Sequence, residues 1–202
     1  MVALGLKTSE GMMSKEKTVQ EMHEDLNPKF EAAMTTLERP ADKTFAEWMD
    51  SRCVLRSTRK YDWDALKFQT EADPKYARAQ MRYLGTGATG VAADVNVVPA
   101  VHFTFSTMKI PVGHTGPLHW HDDTEEVFFV LRGKVKVMCE SKDGEYWEAI
   151  VGERDLISVP PNVYRGETNV GDEEALMCVM VGSPRPVTPT YRPNDPLAQV
   201  KR

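Results

Sequence analysis

Gly113-His114-Thr115-Gly116-Pro117-Leu118-His119-Trp120-His121-Asp122-Asp123-Thr124-Glu125-Glu126, closed by Gly133, is the chemically richest segment of this 202-residue chain. On a strand, His119 and His121 are two residues apart and project to the same face, where two imidazole nitrogens can converge on one point. Asp122-Asp123 reads as a turn, after which a carboxylate can return to complete that point. Two imidazoles and one carboxylate are a ligand set that oxygen-activating divalent metals prefer, with positions left over for substrate, oxygen or water. Taken alone, H-x-H is weak evidence, since two solvent-facing imidazoles in an acidic turn give the same pattern.

Outward from this segment, the sequence from Val95 onward has a period of two. Val101, Phe103 and Phe105 alternate with His102, Thr104 and Ser106; Val127, Phe129 and Leu131 alternate with Glu126, Phe128 and Val130; Val135, Val137 and Cys139 alternate with Lys134, Lys136 and Met138. Strand-like runs follow at Leu156 to Val159 and Ala175 to Val181, and the breaks hold Gly113, Gly133, Asp143-Gly144, Gly152 and Pro160-Pro161. Many short strands at turn-marked spacing predict a sandwich or closed barrel.

Gly113, His119, His121, Glu126 and Gly133 all fall on the pattern G-x5-H-x-H-x3or4-E-x6-G, so the segment resembles the first motif of the cupin superfamily. A partial second motif, G-x5-P-x-G-x2-H-x3-N, follows: Pro160 and Asn169 fit, while Arg154, Asn162 and Arg165 replace the two Gly and the His. The resemblance covers the second half of the chain. It implies an all-β, double-stranded β-helix (jelly-roll) barrel over 95–183, with His119, His121 and Glu126 as metal ligands. In metal-binding cupins the position of Arg165 normally supplies a fourth ligand, a role that a guanidinium without a lone pair to give cannot fill. The family spacing and the strand parity both select Glu126 over Glu125, which is expected on the opposite face or in the turn.

The first half of the chain reads as an N-terminal helical extension. Residues 1–17 are small and polar and are expected to be poorly ordered; residues 18–94 form the extension and a linker packing on the barrel. Val19, Met22 and Leu26, in a stretch that includes His23, and then Phe30, Ala33, Met34 and Leu37 after Pro28, have helical spacing. Thr44 can cap a further turn holding Phe45, Trp48 and Met49. Asp73-Pro74 predicts another helix, running through Tyr76 to Met81 and Tyr83 and ending at Gly85, Gly87 and Gly90. That glycine cluster lacks the G-K-[ST] ending of a phosphate loop and is expected to be a turn. Residues 184–202 are a proline-rich extended tail.

Composition excludes several classes. With 25 Lys+Arg against 30 Asp+Glu and no basic cluster, nucleic acid is not an expected partner. No apolar run approaches the ~20 residues that span a bilayer and no signal-peptide pattern is visible, so neither a membrane partner nor export is expected. Cys53, Cys139 and Cys178 are too far apart for a C-x-x-C pair and fit a reducing, cytoplasmic setting.

The function favoured is a metal-dependent enzyme, an Fe(II) dioxygenase acting on a small aromatic, dicarbonyl or carboxylic substrate, with Mn, Ni or Zn as alternative metals. A non-oxidative lyase or isomerase, metal-bound or metal-free, and a non-catalytic binding module are the other readings. Arg165, Tyr164 and His102 are the candidate catalytic groups, Arg165 as a planar grip on an anionic substrate. Phe103, Phe105, Phe128, Trp120 and Trp147 are candidate pocket walls. Because ligation needs neutral imidazoles, metal binding is expected to weaken as pH falls through ~6.5. The apolar outer face of the strand from Glu126 to Leu131 needs a cover, from a partner chain or from the N-terminal helices, and the reading favoured is a homodimer with the helical region at or near the interface.

Overall fold

The computed structural model describes residues 38–87 and 97–200. The segment 1–17, the two helices expected between Val19 and Leu37, with His23, and the last glycine of the cluster, Gly90, lie outside the described residues.

Thr44 opens helix α1 (Phe45–Asp50) with a reciprocal cap: its hydroxyl accepts from the Glu47 N–H at 3.2 Å, while the Glu47 carboxylate accepts from the Thr44 N–H at 2.8 Å. The stripe it was expected to bury stays open, with Phe45 and Met49 both exposed. Helix α2 spans Lys67–Ala72. The helix expected to run on from Pro74 is a single 3-10 turn, Pro74–Tyr76, and the following residues form strand β1 (Ala79–Leu84). Pairing decides this: β1 lies antiparallel to β2 (Thr104–Ile110), and on its other edge Gln80 exchanges both backbone hydrogen bonds with Asp62, at 2.8 and 2.9 Å. The sheet therefore begins before residue 95, where the change of period placed it.

The strands that follow are β3 (His119–Trp120), β4 (Glu126–Arg132), β5 (Val135–Glu140), β6 (Tyr146–Val151), β7 (Leu156–Val159), β8 (Tyr164–Asn169), β9 (Ala175–Val181) and β10 (Thr190–Tyr191). Among the described residues they form two five-stranded antiparallel sheets, in the orders β1-β2-β9-β4-β7 and β10-β3-β8-β5-β6. That is the all-β jelly-roll expected. The proline-rich tail contributes β10, which pairs with β3, and a 3-10 turn, Pro196–Gln199, in which Leu197 is buried.

Inward parity is as read on β4 and β5: Phe128, Val130, Val135 and Val137 are buried, joined by Met108, Ile110, Met177 and Val179 from β2 and β9. The two ends of this interior differ. On β4 the inward series runs Glu126, Phe128, Val130, from a carboxylate at one end to an aliphatic floor at the other. Turns at the motif positions need a left-handed backbone. Gly133 has φ +85°, and a Cβ there would stand 3.1 Å from the Ala175 Cα. Asn169, fully buried, donates to the carbonyls of Ile110 and Glu173 at 2.8 and 2.7 Å and accepts from the Gly171 N–H, which ties the β8–β9 turn to the end of β2.

Candidate metal centre

Strand β3 is only two residues long, and its register fixes one side chain of the site. His119 is held between Arg165 of β8 and Tyr191 of β10, and His121 follows one step past the strand's end. The β7–β8 turn reaches back to the same place, with the Asn162 N–H donating to the His121 carbonyl at 2.9 Å. Glu126 opens β4 and points inward. Its Oε2 lies 3.8 Å from His119 Nε2 and 3.7 Å from His121 Nε2, and the potential ligand atoms of the three residues are all within 4.8 Å of one another. The rings of His119 and His121 stand perpendicular, with centroids 5.4 Å apart. His119 Nδ1 is 2.9 Å from the Pro117 carbonyl. A carbonyl can only accept, so this contact places the proton on Nδ1 and leaves the Nε2 lone pair facing Glu126.

Arg165 fills the fourth corner. It is completely buried, its Nε is 3.1 Å from Glu126 Oε2, and it donates through one terminal nitrogen to the Val163 carbonyl at 3.1 Å. It does not line the cavity beside the histidines, and its second terminal nitrogen, Nη2, has no hydrogen-bond partner among the described residues. Its charge is spent on Glu126.

Burial, then the charges of His121 and Arg165, hold His119 well below the ordinary imidazole range. Burial and Arg165 likewise bring His121 down to about 4. Burial pushes Glu126 up to about 7, against the pull of Arg165. With His121 brought to about 4 and His119 held well below the ordinary imidazole range, the group that titrates near neutral pH and competes with a metal is the Glu126 carboxyl. The expected loss of binding through ~6.5 by imidazole protonation is corrected to protonation of Glu126.

Glu125 is exposed and accepts from the Ser158 hydroxyl, on the opposite face from Glu126 as expected. Two candidate catalytic residues are elsewhere. Tyr164 precedes Arg165 by one residue, so it projects from the other side of β8. There it packs on Trp120 at 4.6 Å, with Arg192 over its ring and Lys142 over Trp120. His102 lies in an exposed bend two residues before β2 begins, outside the inward series it seemed to continue. Of the five aromatic walls, Phe105 and Phe128 line the cavity; Phe103 and Trp147 are exposed, and Trp120 belongs to the outer stack.

The cavity, about 60 Å³, brings together His119, His121 and Glu126 with Gln80, Arg82 and Glu167, none of the last three anticipated. Arg78 donates to Glu167 and to Gln69, and Gln69 Nε2 donates to the Tyr191 hydroxyl at 2.7 Å. Glu167 was legible in principle, since it shares the inward parity of Arg165. Gln80 and Arg82 were hidden by the reading of β1 as helix.

Residues 106–182 match a family model described as Cupin domain. The chain is 27% identical over 110 residues to "Germin-like protein 1-2" of Oryza sativa subsp. japonica, covering 52% of this chain and 49% of that one. It spans about half the length of the curated relatives it matches. Two solved structures share the fold: an oxalate oxidase in complex with the substrate analogue glycolate (18% identity, TM-score 0.54, 73% of this chain and 66% of that) and Peruvianin-I, a cysteine peptidase from Thevetia peruviana latex (14%, 0.55, 74% and 80%).

Proposed function

Through its barrel the chain belongs to the cupin superfamily, and on that premise we propose that it is a metal-dependent enzyme in which His119, His121 and Glu126 hold one divalent ion. The observation that carries this is the convergence of two imidazole Nε2 atoms on one carboxylate oxygen at 3.7–3.8 Å beside a cavity. Donors bonding a metal at ~2.0–2.2 Å can stand that far apart from one another.

When bound, the ion supplies Lewis acidity and, as Fe(II), chemistry with dioxygen; Fe(II) and a dioxygenase are our preferred assignment, with Mn, Ni or Zn as alternatives. The chain's own contributions are separable. Pro117 fixes the His119 tautomer, Arg165 favours the ionised form of Glu126, and Phe105 and Phe128 narrow the space available. The substrate is a compact organic acid or carbonyl compound, and the free cysteines suit a cytoplasmic setting. No helix among the described residues is long and apolar enough to cross a membrane.

The test is anaerobic loading with Fe(II), desalting, and oxygen uptake on adding small acids, oxalate among them. Oxygen consumed in proportion to acid, with label from 18O2 found in the product and no hydrogen peroxide released, supports the dioxygenase, whereas uptake with release of hydrogen peroxide would replace it with an oxidase. Conversion of acid without oxygen uptake would replace it with a lyase or isomerase. The 3.1 Å pair between Arg165 and Glu126 favours one second reading, a metal-free site in which Glu126 serves Arg165 and the histidines act as acid and base. Turnover that survives chelation would select it.

A further inference from the structure

Beyond the triad, the cavity wall carries two buried hydrogen-bond acceptors without a donor. Gln80 is 7% exposed and Glu167 1% exposed; both line the cavity, and neither Gln80 Oε1 nor Glu167 Oε2 has a hydrogen-bond partner among the described residues. Their positions are fixed from behind. The other oxygen of Glu167 accepts from Arg78, and the backbone of Gln80 is paired on both edges of β1, with Asp62 on one side and β2 on the other. Buried acceptors are nearly always satisfied, and leaving one unmet carries the full desolvation penalty of the group. A ligand group is one of the few things that could meet them here.

Distance along the sheets makes both acceptors reachable from the metal centre. His119 is the cross-strand neighbour of Arg165, and Glu167 is the next inward position on β8, roughly 7 Å further along the strand. Gln80 is likewise the next inward position after Arg78, which binds Glu167. A cavity of about 60 Å³ limits what spans this gap to a compact molecule. The charged side of the same wall is balanced separately, with Arg82 held by Asp62 at 2.8 Å.

We propose that Gln80 and Glu167 form a donor-recognising subsite, so that the substrate is a compact acid carrying a hydroxyl or amino group a few atoms from its carboxylate. This inference rests on the metal reading above and adds the second end of the substrate: the carboxylate goes to the metal, and the distal O–H or N–H goes to Gln80 Oε1 and Glu167 Oε2. A dicarboxylate or a purely apolar acid of the same size leaves both acceptors unmet and is disfavoured.

The test is calorimetric titration of Mn(II)-loaded full-length protein with 3-hydroxypropanoate and with butanoate, which differ by a hydroxyl against a methyl at the distal end. Retained Mn(II) is measured on the same samples. Wild-type protein should prefer the hydroxy acid by about tenfold to a hundredfold. In Gln80→Met that preference should fall at least several-fold, with butanoate affinity no lower than in the wild type and retained Mn(II) unchanged. Glu167→Gln, which keeps an oxygen for Arg78 and can present a donor to the cavity, should also weaken it, thermal melting confirming that each variant is folded. A preference that survives intact in Gln80→Met arises from chelation by the metal and overturns the subsite. Equal affinity for the two acids in wild-type protein, or no binding of either by protein that holds Mn(II), also overturns it, while leaving the metal assignment standing. Failure to retain Mn(II) overturns both.

Discussion

Arg165 and Glu126 decide the character of the site between them. A cation in the place of a fourth ligand lowers the number of protein donors to three and at the same time favours the charged form of the carboxylate that remains. Arg165→Met should therefore reduce metal affinity near neutral pH, because Glu126, already at about 7, loses the cation paired with it, keeps only the weaker pull of Arg78, and holds its proton more tightly. Arg165→His should raise affinity by supplying a fourth nitrogen; titration with Mn(II) or Zn(II) at pH 7.5 separates the two. The pH dependence follows from the same group. Below about 7 Glu126 is protonated in the metal-free protein, so binding releases a proton and affinity falls as pH falls through that value, up to tenfold per unit. His121 stays neutral down to about 4, and His119 is held well below the ordinary imidazole range, so neither adds a step near 7. Calorimetry at pH 6 in two buffers of different ionisation enthalpy should show close to one proton released, and at pH 8 close to none. Two turn residues show what the second motif lost. Arg154 and Asn162 stand where the family pattern has glycine, and both have positive φ, +69° and +65°. Asn tolerates that region; Arg does so only at a cost of ~1–2 kcal/mol. Arg154→Gly should stabilise the protein by about 0.5–1 kcal/mol, because the gain in the native backbone exceeds the added freedom of the unfolded chain. An increased midpoint in urea at constant slope checks this.

Among the strands and helices, legibility tracked periodicity and side-chain chemistry. The inward series Glu126, Phe128, Val130 and Val135, Val137 could be read because one face of each strand is buried and its apolar residues alternate. The capped helix at Thr44 was legible because its cap is local. Strand β1 was not. Its four consecutive buried residues, Ala79, Gln80, Met81 and Arg82, include two polar ones that face a cavity, so the alternation of an ordinary half-buried strand is reversed and its spacing passes for a helix. Tyr164 failed for a related reason: adjacent residues on a strand point to opposite sides, and the Pro160-Pro161 turn gave no means of fixing the phase in advance. His102 failed because a strand start cannot be set to within two residues by alternation alone. The place of β1 in its sheet has a testable consequence. A chain shortened to begin at Val95 removes β1 and Arg78, leaves Glu167 buried without its cation, and opens the edge of β2. It should lose cooperative thermal unfolding, whereas a chain beginning at Arg39 should keep it.

Over the molecule as a whole, the outer surface carries more apolar area than a lone barrel needs. Leu131, Trp147, Ile150 and Leu156 are 42–64% exposed, and β6 and β7 are edge strands of their sheets. We propose a homodimer on this ground, with sedimentation at micromolar concentration expected to give the mass of two chains; a monomer whose mass does not change on raising the concentration would contradict it. The sequence could show that such a cover is needed without showing what supplies it, because the pairing of surfaces leaves no period to read. The triad was legible for the opposite reason: two residues on one strand and a third after a turn are a local pattern that geometry then assembles. That assembly is tested most directly by counting metal in the intact protein. After exposure to excess Fe(II), Mn(II) or Zn(II) and desalting at pH 7.5, elemental analysis should find one ion per chain in the wild type and less than a tenth of that in a folded His121→Ala variant. Wild-type protein that retains no stoichiometric metal, or a His121→Ala variant that retains as much as wild type, would contradict the assignment of His119, His121 and Glu126 as its ligands.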